Sequence, residues 1–368
     1  MTPDSPVGTP GEAAVLLRCG PAVASAVPSG GARHPAIDMH CHVLCSAVED
    51  LLADDPRRQA DRGAMLRAQG LASARQSGAM MADILLKLTH LADRLADMDR
   101  MGVDMQVLSP APNQYYYWAE DALAEKIVWM QNEHIAQLCA LHPDRLVGLG
   151  TLALQNPALA LRQIDHAVGV LGLRGVEVST MVNGVSIADA HFDPVWARAE
   201  ALGCMVLLHP LGSDQGERLN RHYLWNVIGQ PFETTVALSE LILSGLFERH
   251  PATRLCACHG GGFLPAYWGR LDHAWRVRPE ARTTPRAPSS YLRQLYYDTV
   301  VYDPAQLRQL IEKVGSTQVV MGTDYPYDMG HYEPHALVEA IAGLDDAQRA
   351  ALLAGNARRL LGLTETVE

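Results

Sequence analysis

The sequence has no excess of positive charge, no long apolar run and no paired cysteine framework. Thirty Lys and Arg stand against 41 Asp and Glu, for a formal charge of −11. Such a chain presents no basic surface to a phosphate backbone, so nucleic acid is not expected as a partner. No apolar segment approaches the roughly 18 residues that a membrane-spanning helix needs, so no membrane is expected either. The seven cysteines (Cys19, Cys41, Cys45, Cys139, Cys204, Cys256 and Cys258) are odd in number and scattered. That pattern suits reduced thiols in the cytoplasm rather than a disulfide scaffold. "CACH" at 256–259 lacks a second cysteine pair and does not read as a structural zinc site.

What is present is a 368-residue chain, 48% hydrophobic, long enough to bury a large core. Residues 1–35 are rich in Gly, Pro, Ala and Ser and read as a flexible N-terminal tail or a subunit-wrapping arm. A cleaved signal is disfavoured, because acidic residues precede the apolar stretch and Arg18 interrupts it. From residue 36 to 368 short apolar runs alternate with longer stretches whose apolar residues recur every three or four positions. The runs are "AIDMHCH" (36–42), "VDMQVLSP" (103–110), "LVGLGTLAL" (146–154), "GVEVST" (175–180), "CMVLLHP" (204–210), "RLCACHG" (254–260), "LYYDTV" (295–300) and "QVVMGTDYP" (318–326).

Eight buried strands alternating with amphipathic helices imply a parallel sheet covered on its outside, and the count predicts a (β/α)8 barrel as one domain. No glycine-rich phosphate loop follows the first run, which argues against a doubly wound open sheet. Residues 46–90 and 211–235 are too long for simple connections and are expected to form loops or small helices over the C-terminal face of the barrel.

In barrel enzymes the chemistry sits where the strands end. The first run ends with His40 and His42, whose i, i+2 spacing puts both on one face of a strand. The fifth ends with His209, the sixth with His259 and the eighth with Asp324. Three imidazoles and one carboxylate suit Zn²⁺, with Mn²⁺ and Fe²⁺ as alternatives. The fourth run offers Glu177 and Ser179 but no lysine to bridge two ions, so one metal is expected. Asp298 and Glu177 are candidates to orient the histidines, with Glu233 as a further one from the rim. The aromatics of "NQYYYWAED", Trp118 among them, suit either a stacking wall for a planar substrate or packing under the long loop.

The chain resembles the amidohydrolase superfamily, and within it aminocarboxymuconate semialdehyde decarboxylase and its relatives. The resemblance runs from about residue 36 to the C-terminus. It is carried by "DMHCH", "RLVGLGTLALQNPALA", "GLRGVEVST", "LLHP", "GQPFETT", "CHGGGFLPAYWGR", "GTDYP" and "GNARRLLGL". It implies His40, His42, His209 and Asp324 as metal ligands, and His259 as the catalytic acid/base acting with Asp324. It also implies Arg270 as an arginine that reaches the neighbouring site of a homodimer, and Tyr327 as an aromatic packing on the substrate. The activity implied is metal-dependent, non-oxidative decarboxylation of an aromatic or ring-cleavage carboxylic acid. Hydrolysis of an amide, lactone or C–C bond is the alternative, because the same ligands serve both. One departure stands out: the family's second carboxylate-binding arginine falls near Ala82 here, with Arg75 or Lys87 as the nearby cations.

Overall fold

The structure is a computed structural model that describes residues 33–213 and 215–363. Residues 1–32 of the expected tail, 1–35, and the last five residues lie outside the described part. Eight parallel strands form the centre: β1 (Ile37–Val43), β2 (Met105–Pro110), β3 (Leu146–Gly148), β4 (Gly175–Val178), β5 (Met205–Leu208), β6 (Arg254–Ala257), β7 (Tyr296–Asp298) and β8 (Val319–Val320). β1, β2 and β3 pair in order, as do β4 to β8. Two single bridges close the ring, Gly150 to Val176 between β3 and β4, and Cys41 to Tyr325 between β1 and the segment after β8. The result is the (β/α)8 barrel expected from the alternation of runs.

Each apolar run is a strand, and the stretches between them are helices packed outside. Helices at Leu91–Met101, Asp121–Leu141, Pro157–Gly169, Asp193–Leu202, Gln230–Leu243 and Pro304–Val314 match the three-and-four spacing. Their starts follow from the residues there. Asn156 and Asp303 each accept a hydrogen bond from a backbone N–H of the first turn, with proline as the next residue. That pairing satisfies an orphan donor and presets the first helical φ. The barrel interior is filled by Ile37, Met39, Val107, Leu149, Leu207 and Cys258, and the final helix Asn356–Leu361 packs against it through Ala357 and Leu360.

The insertion at 46–90 departs from expectation. It contains helices Ser46–Leu51, Pro56–Gln69 and Leu71–Thr89, the last two of 14 and 19 residues rather than small. Periodicity hid them because much of their inward face looks onto a cavity instead of a packed core, so the apolar positions are diluted by glycine, serine and charge. Gly70 joins the two long helices at φ 79° with a Cβ position 2.0 Å from the Asn220 carbonyl oxygen. Only glycine fits there, and the contact ties the insertion to the 211–229 loop.

The barrel seam between β4 and β5 carries Glu177 and leads to His209. At its base a Cβ on Gly175 would lie 2.0 Å from the Met205 carbonyl oxygen. Gly175→Ala is therefore expected to cost about 1–3 kcal/mol through overpacking and to lower the thermal unfolding midpoint; an unchanged melting curve would contradict this close approach.

Candidate metal centre

The His-x-His pair points inward for a reason that simple alternation does not supply. Ile37 and Met39 belong to the interior cluster, yet His40 and His42 also face the interior. The pairing register of β1 against β2 shifts between Asp38 and Cys41, a bulge that turns the strand by one residue. Cys41 then faces outward, against Met98, Met101 and Leu108. His209 follows β5 and Asp324 follows β8. Asp324 has a φ of 59°, in the left-handed region that non-glycine residues visit at a cost and mostly at functional sites.

His40, His42, His209 and Asp324 are all buried, and each brings one donor atom within 4.8 Å of the others. The Nε2 atoms of His40 and His42 lie 3.2 Å apart. They stand 3.5 Å and 3.3 Å from Oδ1 of Asp324. The opposite ring nitrogen of each histidine is already engaged. Nδ1 of His40 is 2.7 Å from Asp298 Oδ2, that of His42 is 3.2 Å from the Pro110 carbonyl oxygen, and that of His209 is 2.8 Å from the Pro210 carbonyl oxygen. Nδ1–H donation to these acceptors leaves the inward Nε2 atoms as lone-pair donors, the arrangement of metal-binding imidazoles. Three imidazoles and one carboxylate aimed at one buried point fit a divalent transition metal.

The charges within the cluster pull in opposite directions. Burial disfavours the His40 imidazolium, but the carboxylates of Asp324 and Asp298 outweigh it and lift its pKa to about 9. Burial and the neighbouring imidazoles push His209 well below the usual histidine range. Burial would raise Asp324, yet His40, His259 and His42 hold it well below the usual carboxylate range. Asp298, resisting burial through His40, also accepts from the backbone N–H groups of His259, Gly260 and Val300. Glu177 accepts a 2.6 Å hydrogen bond from the Tyr115 hydroxyl, and its Oε2 is 3.8 Å from His42 Nδ1, so it lies beside the cluster without a direct bond to it. Glu233 sits farther out, accepting from the Ser213 hydroxyl.

His259 stands just outside the four donors. Its ring centroid is 5.3 Å from that of His40 and 5.2 Å from that of His209, and Nε2 is 3.9 Å from Asp324 Oδ2. It has a φ of 55°, and its Nδ1 is buried with no hydrogen-bond partner. The cluster opens into a cavity of about 650 Å³ to which His209, His259, Asp324 and Tyr327 contribute. The Tyr327 ring is 5.4 Å from that of His42.

Two other expected residues lie elsewhere. Trp118 is half-buried and lines an adjoining chamber of about 180 Å³ rather than the main cavity. Arg270 is exposed on the outer face of helix Leu264–Val277, away from the cavity of its own chain. Arg75 is exposed and Lys87 pairs with Asp97, so neither faces the cavity. The cations that do are Arg58 and Arg62, joined on the cavity wall by Tyr223 and Trp225. With positions 61, 65 and 66 they follow helical spacing, a signal in the insertion that marks this wall.

Asp298→Asn is expected to weaken divalent-metal retention by about 10- to 100-fold, read by competition of the Zn²⁺- or Mn²⁺-loaded protein against a chelator. Retention equal to the parent would mean that His40 needs no charged acceptor behind it.

Comparison with known proteins agrees with this geometry. Residues 37–363 match the family described as Amidohydrolase. The 2-amino-3-carboxymuconate-6-semialdehyde decarboxylase of Dictyostelium discoideum is 34% identical over 272 residues, covering 73% of this chain and 76% of that protein. The crystal structure of 5-carboxyvanillate decarboxylase from Sphingomonas paucimobilis is 27% identical with a TM-score of 0.74, over 90% of this chain and all of the other. The fold is shared also by dihydroxybenzoic acid decarboxylase from Polaromonas sp. JS666, solved with manganese and the inhibitor 2-nitroresorcinol. That structure has a TM-score of 0.73 at 23% identity, over 90% of this chain and 98% of that one. The chain belongs to the amidohydrolase superfamily, in its aminocarboxymuconate semialdehyde decarboxylase-like branch.

Proposed function

We propose that this barrel, residues 36–368 as one domain, is a divalent-metal-dependent, non-oxidative decarboxylase of an aromatic or ring-cleavage carboxylic acid. The observation that carries the reading is the four-donor cluster with His259 poised beside it at the floor of a cavity. The similar decarboxylases support the reaction class.

His40, His42, His209 and Asp324 hold the ion in this reading. Once bound, it supplies Lewis acidity, polarising a substrate oxygen and drawing electron density away from the reacting carbon. Zn²⁺ suits the nitrogen-rich donor set. Mn²⁺ is the second reading, favoured by the manganese in the Polaromonas structure. Tyr327 packs on the substrate ring and sets its plane. His259, outside the ligand set, delivers a proton to the ring carbon that bears the carboxylate. The bond to the carboxyl group then breaks, its electron pair returns to the ring, and CO₂ leaves, so no oxidant or reductant is consumed. Trp118 lines the adjoining chamber, beside the space given to the ring in this reading. The free state of the six described cysteines suits a reducing cytoplasm.

Arg270 completes the site from a second copy in this reading. Its exposure, with Phe263 at 40% and Tyr267 at 67% beside it on one helix face, suits a homodimer in which the guanidinium clamps a carboxylate across the interface.

His259→Asn is expected to lower the rate of CO₂ release from carboxymuconate semialdehydes or hydroxybenzoates by about 10²- to 10⁴-fold at unchanged metal content. Substrate consumption by the parent enzyme with water uptake and no CO₂ would replace decarboxylation by hydrolysis. Metal analysis of the purified protein separates Zn²⁺ from Mn²⁺. Mixed Arg270→Ala and His259→Asn dimers, each inactive alone, are expected to regain partial activity, since one of the two sites in a hybrid is whole. Absence of rescue after subunit exchange would remove the shared site.

A further inference from the structure

The cavity exceeds what a single carboxylated ring requires. A hydroxybenzoate with a van der Waals volume on the order of 120 Å³ occupies about 160 Å³ at interior packing density. The cavity measures about 650 Å³.

Two helices of the insertion build the wall that bounds the additional space. Helix Pro56–Gln69 turns Arg58, Asp61, Arg62, Met65, Leu66 and Gln69 toward it, one face at helical spacing. Its charges occupy the first two turns, where Arg58 is tied to Glu49. Helix Leu71–Thr89 turns Ala74, Ser77, Gly78, Met81, Ala82 and Leu85 toward it, a face with no charge at all. Gly78 is exposed, and a Cβ built on it meets no atom within 4 Å, so a side chain there has open space at the cavity mouth.

This wall is continuous with the metal centre. Met80, Met81 and Tyr327 all pack against Leu44, Ile84 and Leu88, and the Tyr327 ring lies next to His42. The wall also stays wet. Leu66 and Leu85 line the cavity yet are 48% and 46% exposed. Apolar surface held open to water inside a functional cavity gains free energy when a ligand covers it. Methionine side chains add an adaptable lining that follows the shape of hydrocarbon.

We propose that this wall is a subsite for a hydrocarbon substituent. The substrate carries, beyond its ring and carboxylate, an alkyl or aryl group of several carbons that lies along Met65, Gly78, Met80, Met81 and Ala82. The proposal rests on the decarboxylase reading for where the carboxylate is held, but the preference of the wall is measurable without turnover.

The test uses two matched series on the metal-loaded full chain. The first is hydroxybenzoates bearing hydrogen, methyl, propyl or pentyl on the ring, assayed by CO₂ release. The second is nitrophenols with the same substituents, which hold no carboxyl group to lose, assayed by calorimetric binding. Both kcat/KM and affinity are expected to rise by roughly tenfold or more from hydrogen to the longer tails, since each buried methylene contributes about fourfold. Gly78→Phe fills the free room from a position where glycine is a poor helix former, so the helix is retained. It is expected to shrink the long-tail preference to less than about threefold, and Ala82→Phe serves if that variant melts early. Binding that does not vary with tail length, or a preference untouched by a folded cavity-filling variant, overturns the subsite. A preference in the nitrophenols without CO₂ from any benzoate or carboxymuconate semialdehyde overturns the decarboxylase reading and leaves the subsite standing. CO₂ release with no dependence on tail length does the reverse.

Discussion

Four donor atoms converging on one buried point are the constraint on which the rest of the structure depends. With the outward nitrogens donating, a neutral imidazole turns a lone pair inward at Nε2 beside the Asp324 carboxylate, and without a metal the negative charge of Asp324 and Asp298 is met by a proton held on His40. The tautomers are not free to relax this, because the outward nitrogens are committed to Asp298 and to the Pro110 and Pro210 carbonyl oxygens. A divalent ion converts the same arrangement from a cost into a bound state, and any ion that binds only the folded barrel stabilises it by mass action.

Holding those donors together requires that the first and last strands be locked to each other, although they are separated by most of the chain. Asp38 does this from beneath. It accepts from the backbone N–H of His40 at 3.2 Å, from the backbone N–H and hydroxyl of Thr323 at 2.9 and 2.6 Å, and from Gln106 Nε2 at 3.0 Å. Arg94 completes the frame. It donates to Gln106 and to the His42 carbonyl oxygen, and its guanidinium stacks 4.9 Å from the Tyr325 ring. Burial raises the Asp38 carboxyl while these donors favour its charged form. The backbone on both sides of the donor cluster is thus fixed by one buried carboxylate, and Asp298 plays the same part for β6 and β7 by joining His40 to the turn at His259 and Gly260.

The barrel and its four-donor cluster were legible because both rest on local patterns. Continuous apolar runs mark strands buried on two faces, and a histidine or aspartate that directly follows such a run lands at the strand end. The orientation of His40 and His42 was legible only by chance. Alternation alone would put Met39 and His40 on opposite faces, and the bulge that brings both inward leaves no mark in residue type. The insertion was illegible for a related reason: a helix that lines a cavity is not selected for an unbroken apolar stripe, so Ser77 and Gly78 read as loop. Arg58 and Arg62 escaped notice with it, and Arg75 and Lys87, nearer in sequence to the expected arginine, face elsewhere. Trp118 lay in a run of four aromatics, and nothing in the run distinguished Tyr116, which reaches the main cavity, from its neighbours.

The strand ends and the helices that cover them answer to different physical constraints. Strand ends are placed by ladders of backbone hydrogen bonds and a packed interior, so the machinery at the donor cluster tolerates little displacement. The insertion touches that machinery through Tyr327, Met80 and Leu44, and through one backbone bond from the Leu44 N–H to the Leu88 carbonyl oxygen at 3.1 Å. Its long helices can therefore alter their cavity-facing residues without moving a donor atom. In the proposed reading, chemistry at the strand ends and selectivity on the covering helices are then separable, so the reaction class is argued from the barrel and the shape of the substrate from Pro56–Gln69 and Leu71–Thr89.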